Sequence, residues 1–255
     1  MPTTQAPDGT ELFFTEAGDG PPVVLVHGIT ESHESWQPVI DRLAATHRVI
    51  AMDLRGHGRS AHAASYDLAS MAGDVIAVAQ AAGADQPHLV GHSLGGAVVS
   101  AVGATGMATS VTAVDQSLDL AAFKAALLEV ESMLRDPETF PLVIAGLFDQ
   151  MAGTMLDPDE RSRIDALRRP DQSVALGVWG LLLEQNEEEV AATVDAALAG
   201  YATPYLALFG IDPGDGYEAW LQERIDGAVV EVWPEHGHYP HLVDPDRFVE
   251  RLQRM

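Results

Sequence analysis

Six runs of apolar residues, most of them rich in β-branched side chains, recur along the chain at intervals that suit alternating strands and helices. Most of these runs are apolar at consecutive positions, which is typical of parallel strands covered by helices on both faces of a sheet. The runs are Val23–Gly28, Arg48–Leu54, His88–Ser93, Ser110–Gln116, Tyr205–Gly210 and Ala228–Pro234. A further segment, Glu11–Glu16, is typical of an antiparallel edge strand.

The segments between these runs carry their apolar residues at helical spacing. They are Trp36–Ala45, Leu68–Gly83, Leu94–Gly106, Tyr217–Ile225 and Pro245–Arg254. Strands that alternate with helices in this way predict an α/β protein with a doubly wound, mostly parallel sheet.

The alternation stops after the strand that ends near Asp115, and no strand-like run appears again until about residue 199. Asp-Pro or Pro-Asp pairs at 136–137, 157–158 and 170–171 are typical of helix starts. We therefore predict a core formed by residues 1–117 and 200–255, and an all-helical cap formed by residues 118–199. The cap is expected over the carboxyl edge of the sheet, where ligands bind in open α/β sheets.

Some apolar residues of the predicted cap are expected to line a substrate pocket, Trp179, Phe148 and Met151 foremost. The full set is Phe140, Leu147, Phe148, Met151, Met155, Trp179 and Leu182.

Charge and composition narrow the range of partners. Acidic residues number 38 against 14 basic residues, for a formal net charge of −24. Such a field repels nucleic acid and anionic membrane surfaces, so neither is an expected partner. The chain has no cysteine, no start typical of a secretory signal and no run near the roughly 20 apolar residues of a membrane span. A cytoplasmic protein is expected. The acidic composition fits solubility or a high-salt habitat, and the alternative is a preference for cationic ligands.

The stretch "VGHSLGG", Val90–Gly96, places Ser93 between Gly91 and Gly95 at the point where a predicted strand gives way to a predicted helix. Glycine is needed at both positions because the turn is sharp and a Cβ would collide with neighbouring backbone. This G-x-S-x-G pattern, in this strand-to-helix context, is typical of a nucleophile elbow. Ser93 is therefore the candidate nucleophile, although the same residues also suit a plain tight connection.

A serine nucleophile needs a base, and histidine is the usual one. Three of the ten histidines lie in "EHGHYPHLVDPDRF", which follows the last predicted strand and returns to the carboxyl edge of the sheet. Within it we expect His238 to be the base, with His236 and His241 in reserve. The large negative charge of the chain is expected to raise the pKa of this histidine.

Four stretches together resemble the α/β-hydrolase-fold serine hydrolases, and the resemblance covers nearly everything outside the predicted cap. They are "HGIT" (His27–Thr30), "DLRGHGRS" (Asp53–Ser60), "GHSLGG" (Gly91–Gly96) and "GHYPHLVDPDRF" (Gly237–Phe248). The resemblance implies that Ser93 is the nucleophile, His238 the base, and the backbone N–H groups of Ile29 and Leu94 the oxyanion hole. It also implies that Asp53–Ser60 shapes the pocket floor.

The acid of the triad stays open between two aspartates. Many relatives place it after the penultimate strand, and Asp212 lies near that position, one residue short of the usual offset from Gly210. Other relatives place it just after the strand that follows the nucleophile helix, where this chain has Asp115. We favour Asp115, with Asp212 as the alternative.

Relatives that open epoxides or displace halide carry aspartate at the position of Ser93, and hydroxynitrile lyases add a lysine near the site, whereas Lys124 is the only lysine of this chain. The resemblance therefore favours acyl transfer to water. The resemblance thus predicts an esterase or lactonase for a small, mostly apolar substrate, with no cofactor and no metal. The alternatives are C–C bond hydrolysis of a diketone-like substrate and a non-catalytic ligand-binding member of the fold. The oligomeric state is not predicted.

Overall fold

Eight strands form one sheet in the computed structural model, which describes residues 2–255. In chain order the strands are β1 (Thr3–Gln5), β2 (Glu11–Ala17), β3 (Pro22–Val26), β4 (Arg48–Met52), β5 (His88–His92), β6 (Ser110–Val114), β7 (Tyr205–Phe209) and β8 (Val229–Val232). Their spatial order is β1-β2-β4-β3-β5-β6-β7-β8. The first two pairings are antiparallel, and all pairings from β4 to β8 are parallel.

Helices flank the sheet and follow most of its strands. They are α1 (Gln37–Leu43), α2 (Leu68–Ala81), α3 (Leu94–Gly103), α4 (Ala121–Glu129), α5 (Glu131–Arg135), α6 (Phe140–Met151), α7 (Pro158–Leu167), α8 (Gln172–Glu184), α9 (Glu187–Leu198), α10 (Tyr217–Gln222), α11 (Pro240–Val243) and α12 (Pro245–Leu252), with a 3₁₀ turn at His33–Trp36. No helix within residues 2–255 is long and apolar enough to cross a membrane.

The consecutive apolar positions of the strands are explained by two hydrophobic clusters, one on each face of the sheet. In β3, Val24 packs into the cluster that α2 and α3 cover, whereas Val23 and Leu25 pack into the cluster that α1 and α12 cover. Because successive side chains of a strand point to opposite faces, a strand buried on both faces is apolar throughout.

Six helices, α4 to α9, occupy the chain between β6 and β7, and we refer to them as the inserted helices. Asp157 and Asp171 cap α7 and α8 by accepting hydrogen bonds from their first-turn amides, as the sequence predicts. The pair at 136–137 starts no helix directly, since α6 begins only at Phe140. Five of the inserted helices share a hydrophobic cluster, which includes Leu134, Ile144 and Trp179, whereas Ile164 of α7 belongs to another cluster.

The predicted fold class is confirmed: the sheet is doubly wound and mostly parallel, and the segment after β6 is helical. Two further details differ from the prediction. The segment Glu11–Glu16 is antiparallel but does not form the edge, because the short strand β1 pairs with its outer side. The short helix α11 is also additional. The division into a core and a cap at residues 117 and 199 stays a prediction.

Candidate active site

Ser93 lies between β5 and α3 in a strained backbone conformation, with φ 51° and ψ −123°. The two flanking glycines are required by close contacts: a Cβ on Gly91 would lie 2.1 Å from the carbonyl oxygen of Gly95. A Cβ on Gly95 would lie 2.2 Å from the carbonyl oxygen of Val26. The Ser93 amide donates to the carbonyl of Val114 in the neighbouring strand, at 2.9 Å. This turn therefore holds a partly exposed serine at the carboxyl edge of the sheet.

Two backbone amides near Ser93 have no hydrogen-bond acceptor within residues 2–255, those of Ile29 and Leu94. Leu94 is the first residue of α3, so its N–H group belongs to the positive end of that helix. Ile29 follows β3, whose end is held by the buried ring of His27: Nε2 accepts from the Leu54 amide at 3.0 Å. Such unpaired amides are suited to binding a developing oxyanion.

His238 lies in the loop between β8 and α11, and its backbone amide donates to the carbonyl of Met151 at the end of α6. Its ring nitrogen Nδ1 lies 2.6 Å from Oδ2 of Asp115. The other ring nitrogen, Nε2, makes no hydrogen bond to any residue that the structure describes, Ser93 included. Ser93 and His238 line the same cavity.

Asp115 follows β6 with φ 47°, a conformation that is uncommon outside glycine. Its Oδ1 accepts hydrogen bonds from the amides of Gly210 and Ile211, at 2.8 and 2.9 Å, which leaves Oδ2 for His238. Asp212 also lines the cavity, but its carboxylate is exposed and accepts from the Gly214 amide. No hydrogen bond or ion pair among residues 2–255 joins Asp212 to His238.

The electrostatics of His238 reverse one expectation. Burial, together with the charge of His92, lowers the pKa of His238 below its ordinary value of 6.5, against the opposing effects of the hydrogen bond to Asp115 and of its charge. The prediction that the net negative charge raises this pKa is therefore wrong. The burial of the ring has a larger effect on its pKa than the distant surface charges, because solvent and salt screen those charges.

The two reserve histidines lie away from the cavity. His236 points Nδ1 at the carbonyl oxygen of Pro234, at 2.9 Å. His241 is fully buried against Trp36, with a ring-centre distance of 4.6 Å, and burial lowers its pKa well below the ordinary value. The structure brings neither ring into the lining of the cavity that contains Ser93.

The cavity has a volume of about 290 Å³, and most of its wall is apolar. Five residues of the predicted pocket-lining set lie on it: Leu147, Phe148, Met151, Trp179 and Leu182. Phe140 packs instead among the inserted helices, and Met155 is 47% exposed. No residue of Asp53–Ser60 lines the cavity itself, although Gly56 of this loop packs against Tyr66, which does.

The cavity wall carries three acidic side chains and the imidazole of His238. Asp115, Asp119 and Asp212 line it, and no lysine or arginine of the described chain does. Lys124 is buried elsewhere and donates to the Leu182 and Gln185 carbonyls at the end of α8. An anionic substrate would thus find no cationic side chain in the cavity wall.

Three polar residues that the sequence analysis does not predict also lie on the cavity wall: Gln116, Ser117 and Asp119. They directly follow Asp115, and the carboxyl ends of neighbouring parallel strands meet at one edge. Their position just after β6 therefore indicates that they can lie at the ligand-binding edge of the sheet.

Comparisons with known proteins agree with this architecture. A model of the alpha/beta hydrolase family matches residues 23–251. An uncharacterized protein of Mycobacterium tuberculosis is 27% identical over 96% of this chain and 78% of its own length. A putative aryl esterase of Burkholderia cenocepacia is 26% identical, with a TM-score of 0.76 over 99% of this chain and 96% of its own. A thermophilic esterase of Thermogutta terrifontis is 26% identical, with a TM-score of 0.78 over 99% and 95% of the two chains.

Proposed function

This chain belongs to the alpha/beta hydrolase family, and we propose that it is a serine hydrolase that cleaves neutral carboxylic esters, lactones included. The observation that carries the proposal is the position of His238. Its Nδ1 lies against a buried carboxylate oxygen of Asp115, and Nε2 is left without a partner beside a cavity that Ser93 also lines. The resemblance to two esterase structures supports the choice of ester bonds.

In the proposed reaction, Oγ of Ser93 attacks the ester carbonyl carbon while Nε2 of His238 takes the hydroxyl proton. The carbonyl oxygen becomes an oxyanion that accepts from the amides of Ile29 and Leu94. Collapse of this tetrahedral intermediate expels the alcohol, which takes the proton from His238, and leaves an acyl group on Ser93. A water molecule, deprotonated by His238, then attacks the acyl group, and the second tetrahedral intermediate collapses to the acid while His238 returns the proton to Oγ of Ser93.

Asp115 has a fixed part in this scheme. With Oδ1 held by two backbone amides, Oδ2 accepts the Nδ1–H proton of His238 and so selects the tautomer in which Nε2 is the base. The same contact stabilises the imidazolium that forms during attack. The Ser93–His238 hydrogen bond belongs to the substrate complex, since such contacts tighten on binding.

A panel of small substrates tests the reaction class. Purified protein is offered neutral aryl and alkyl esters, lactones and a diketone of matched size, and product formation is followed for each. The proposal expects ester and lactone hydrolysis to exceed diketone cleavage. Cleavage of the diketone alone would favour C–C bond hydrolysis, and turnover of none of them would favour a binding protein.

Trp179 is expected to limit the length of the acyl chain. It lies in α8, is 5% exposed and forms part of the cavity wall. Trp179→Leu removes the volume of the ring but keeps an apolar side chain. The ratio of kcat/KM for longer acyl esters to kcat/KM for acetate should therefore rise at least about fivefold, which is the effect expected from space for one or two methylene groups. The measurement is kcat/KM for a homologous series of acyl esters.

The matched control for this change is Leu142→Ala. Leu142 belongs to the inserted helices as well, but it is 69% exposed and does not line the cavity. Its replacement should leave the order of substrates unchanged. An equal effect of Trp179→Leu on every acyl length would show that this wall does not set specificity.

The acid limb of the pH profile is expected below pH 6.5. The base acts only when neutral, and a lowered pKa keeps His238 neutral to lower pH than a free histidine. The measurement is kcat/KM for a neutral ester between about pH 4.5 and 8, around the ordinary histidine pKa of about 6.5. A half-maximal rate at or above pH 6.5 would contradict the environment described for His238.

A further inference from the structure

A buried charged cluster lies against the loop that carries His238, and none of its members lines the cavity. It comprises Glu31, His92, Arg168 and Tyr239, and we call it the Glu31 cluster. Glu31, His92 and Tyr239 are at most 3% exposed, and the Arg168 side chain is 10% exposed. Arg168 is the only member from the inserted segment, where it directly follows α7.

Arg168 reaches from the inserted segment to two parts of the candidate active site. One guanidinium nitrogen, Nη2, donates to the hydroxyl of Tyr239, which directly follows His238. The other, Nη1, donates to the hydroxyl of Thr30 at 3.2 Å, and Thr30 directly follows Ile29. A single side chain thus contacts the neighbours of the proposed base and of a proposed oxyanion donor.

Glu31 connects these contacts. Its Oε1 accepts from the Tyr239 hydroxyl at 3.3 Å and lies 3.7 Å from Nη1 of Arg168. Its Oε2 lies 3.6 Å from Nδ1 of His92. On the other side of that ring, Nε2 donates to the backbone oxygen of His238 at 2.8 Å. The cluster therefore touches the His238 loop at its backbone and at the following residue.

The charges of the cluster depend on one another. Burial alone would raise the pKa of Glu31, but the charges of His92 and Arg168 hold it well below its ordinary value. Removal of Arg168 would leave a buried carboxylate with less compensation, so its neighbours would have to move or the carboxyl would have to take up a proton. A buried ion pair is also a poor choice for stability alone, because apolar residues of similar volume often serve as well.

Arg168 also touches the cavity wall from behind. Its guanidinium carbon lies 3.5 Å from the ring centre of Phe148, and Phe148 lines the cavity. Arg169, the next residue, is different: it is exposed and donates to the carbonyls of Ala166 and Arg168.

We propose that Arg168 is a positioning residue, which acts through Tyr239 and Glu31 to align His238 and the Ile29 amide from the inserted segment. This inference rests on the proposed function, in which His238 is the base and Ile29 an oxyanion donor. It places one requirement for ester cleavage outside the core, in the segment between β6 and β7.

The first test is Arg168→Met, which keeps the length of the stem and removes the guanidinium. We expect kcat for a neutral ester to fall about tenfold or more, the scale of a small misplacement of catalytic groups. KM should change less than about threefold, because Arg168 does not itself line the cavity and the methionine side chain can still pack against Phe148. Arg169→Met, the matched control, should keep wild-type kcat and KM. Wild-type kcat in folded Arg168→Met would overturn the proposal.

The second test is a double-mutant cycle with Tyr239→Phe, which removes only the hydroxyl between Arg168 and Glu31. If the two residues act through one path, the double variant should lose no more kcat than Arg168→Met alone. If the loss of kcat in the double variant instead equals the product of the two single losses, the path through Tyr239 is overturned. If Arg168→Met fails to fold, Tyr239→Phe decides: a loss of at least about threefold in kcat at unchanged KM supports the proposal, and no loss overturns it.

A third readout does not depend on turnover. The proton in the His238–Asp115 hydrogen bond can be followed by its far-downfield NMR resonance. This resonance should shift in Tyr239→Phe and in folded Arg168→Met, and stay in place in Arg169→Met. If the wild-type protein hydrolyses no ester but the resonance shifts, the proposed function fails while the positioning effect stands. An unchanged resonance in both cluster variants would overturn the positioning effect itself.

Discussion

Ser93→Ala is expected to lower kcat for ester hydrolysis by several orders of magnitude and to leave the fold intact. The variant removes the only proposed nucleophile but keeps the two proposed oxyanion donors and the cavity, so a small residual rate over water should remain. The backbone strain at φ 51° is the same for alanine and serine, so the elbow should not relax. The measurement is kcat for a neutral aryl ester, with circular dichroism as the check on folding.

Ser117→Ala is the control for Ser93→Ala, because Ser117 also lines the cavity but its hydroxyl donates to the carbonyl of Asp119. This control should keep at least about half of the wild-type kcat. A tenfold loss of kcat corresponds to about 1.4 kcal/mol in the barrier. If Ser93→Ala kept more than about a tenth of the wild-type kcat, Ser93 could not be the nucleophile.

Asp115→Asn is expected to lower kcat by about 10⁴, the scale observed when the carboxylate of a serine-hydrolase triad becomes an amide. An amide group facing Nδ1 no longer selects the tautomer in which Nε2 is the base. It also removes the charge that stabilises the imidazolium during attack. The expected loss is in kcat rather than in KM, because the interaction strengthens in the transition state.

The matched control is Asp212→Asn. This carboxylate also follows a strand and lines the cavity, but it is exposed and accepts from the Gly214 amide. Its loss should cost less than about tenfold, or about 1.4 kcal/mol. A larger loss from Asp212→Asn than from Asp115→Asn would transfer the role of the acid to Asp212.

The strands and the serine turn were predictable because their causes are local. A strand buried on both faces must be apolar at consecutive positions, and Val23, Val24 and Leu25 show this pattern in the sequence and in the two clusters. The glycines beside Ser93 are likewise dictated by contacts of under 2.5 Å that a Cβ would make. The strand β1 has no such signal, since Thr3–Gln5 is polar and short.

The choice between the two aspartates was not local. Both follow strands that end at the same edge of the sheet, so spacing alone left the choice open. The structure brings Asp115 to His238 through a turn at φ 47° and two amides from the end of β7, and the sequence expresses neither. Similarly, only the path of the loop separates His238 from His236 and His241.

The Glu31 cluster was not visible in the sequence at all. Arg168 lies in a polar stretch between two helices, and nothing in that stretch indicates a partner in the loop after β3. Glu31 is buried, a rare position for a carboxylate, and its charge is compensated mainly by His92 and Arg168, which lie far away along the chain. Pairings of this kind depend on how the inserted helices dock, which apolar periodicity does not specify.

Covalent labelling tests the central claim most directly. Wild-type protein is treated with a neutral p-nitrophenyl alkylphosphonate, which imitates the tetrahedral intermediate and traps an activated serine, and its mass is measured before and after proteolysis. We predict one phosphonyl group per chain, located on Ser93, with labelling absent in Ser93→Ala and slowed in Asp115→Asn. A fully folded protein that remains unlabelled, or that is labelled at another residue, would contradict the assignment of Ser93 as an activated nucleophile.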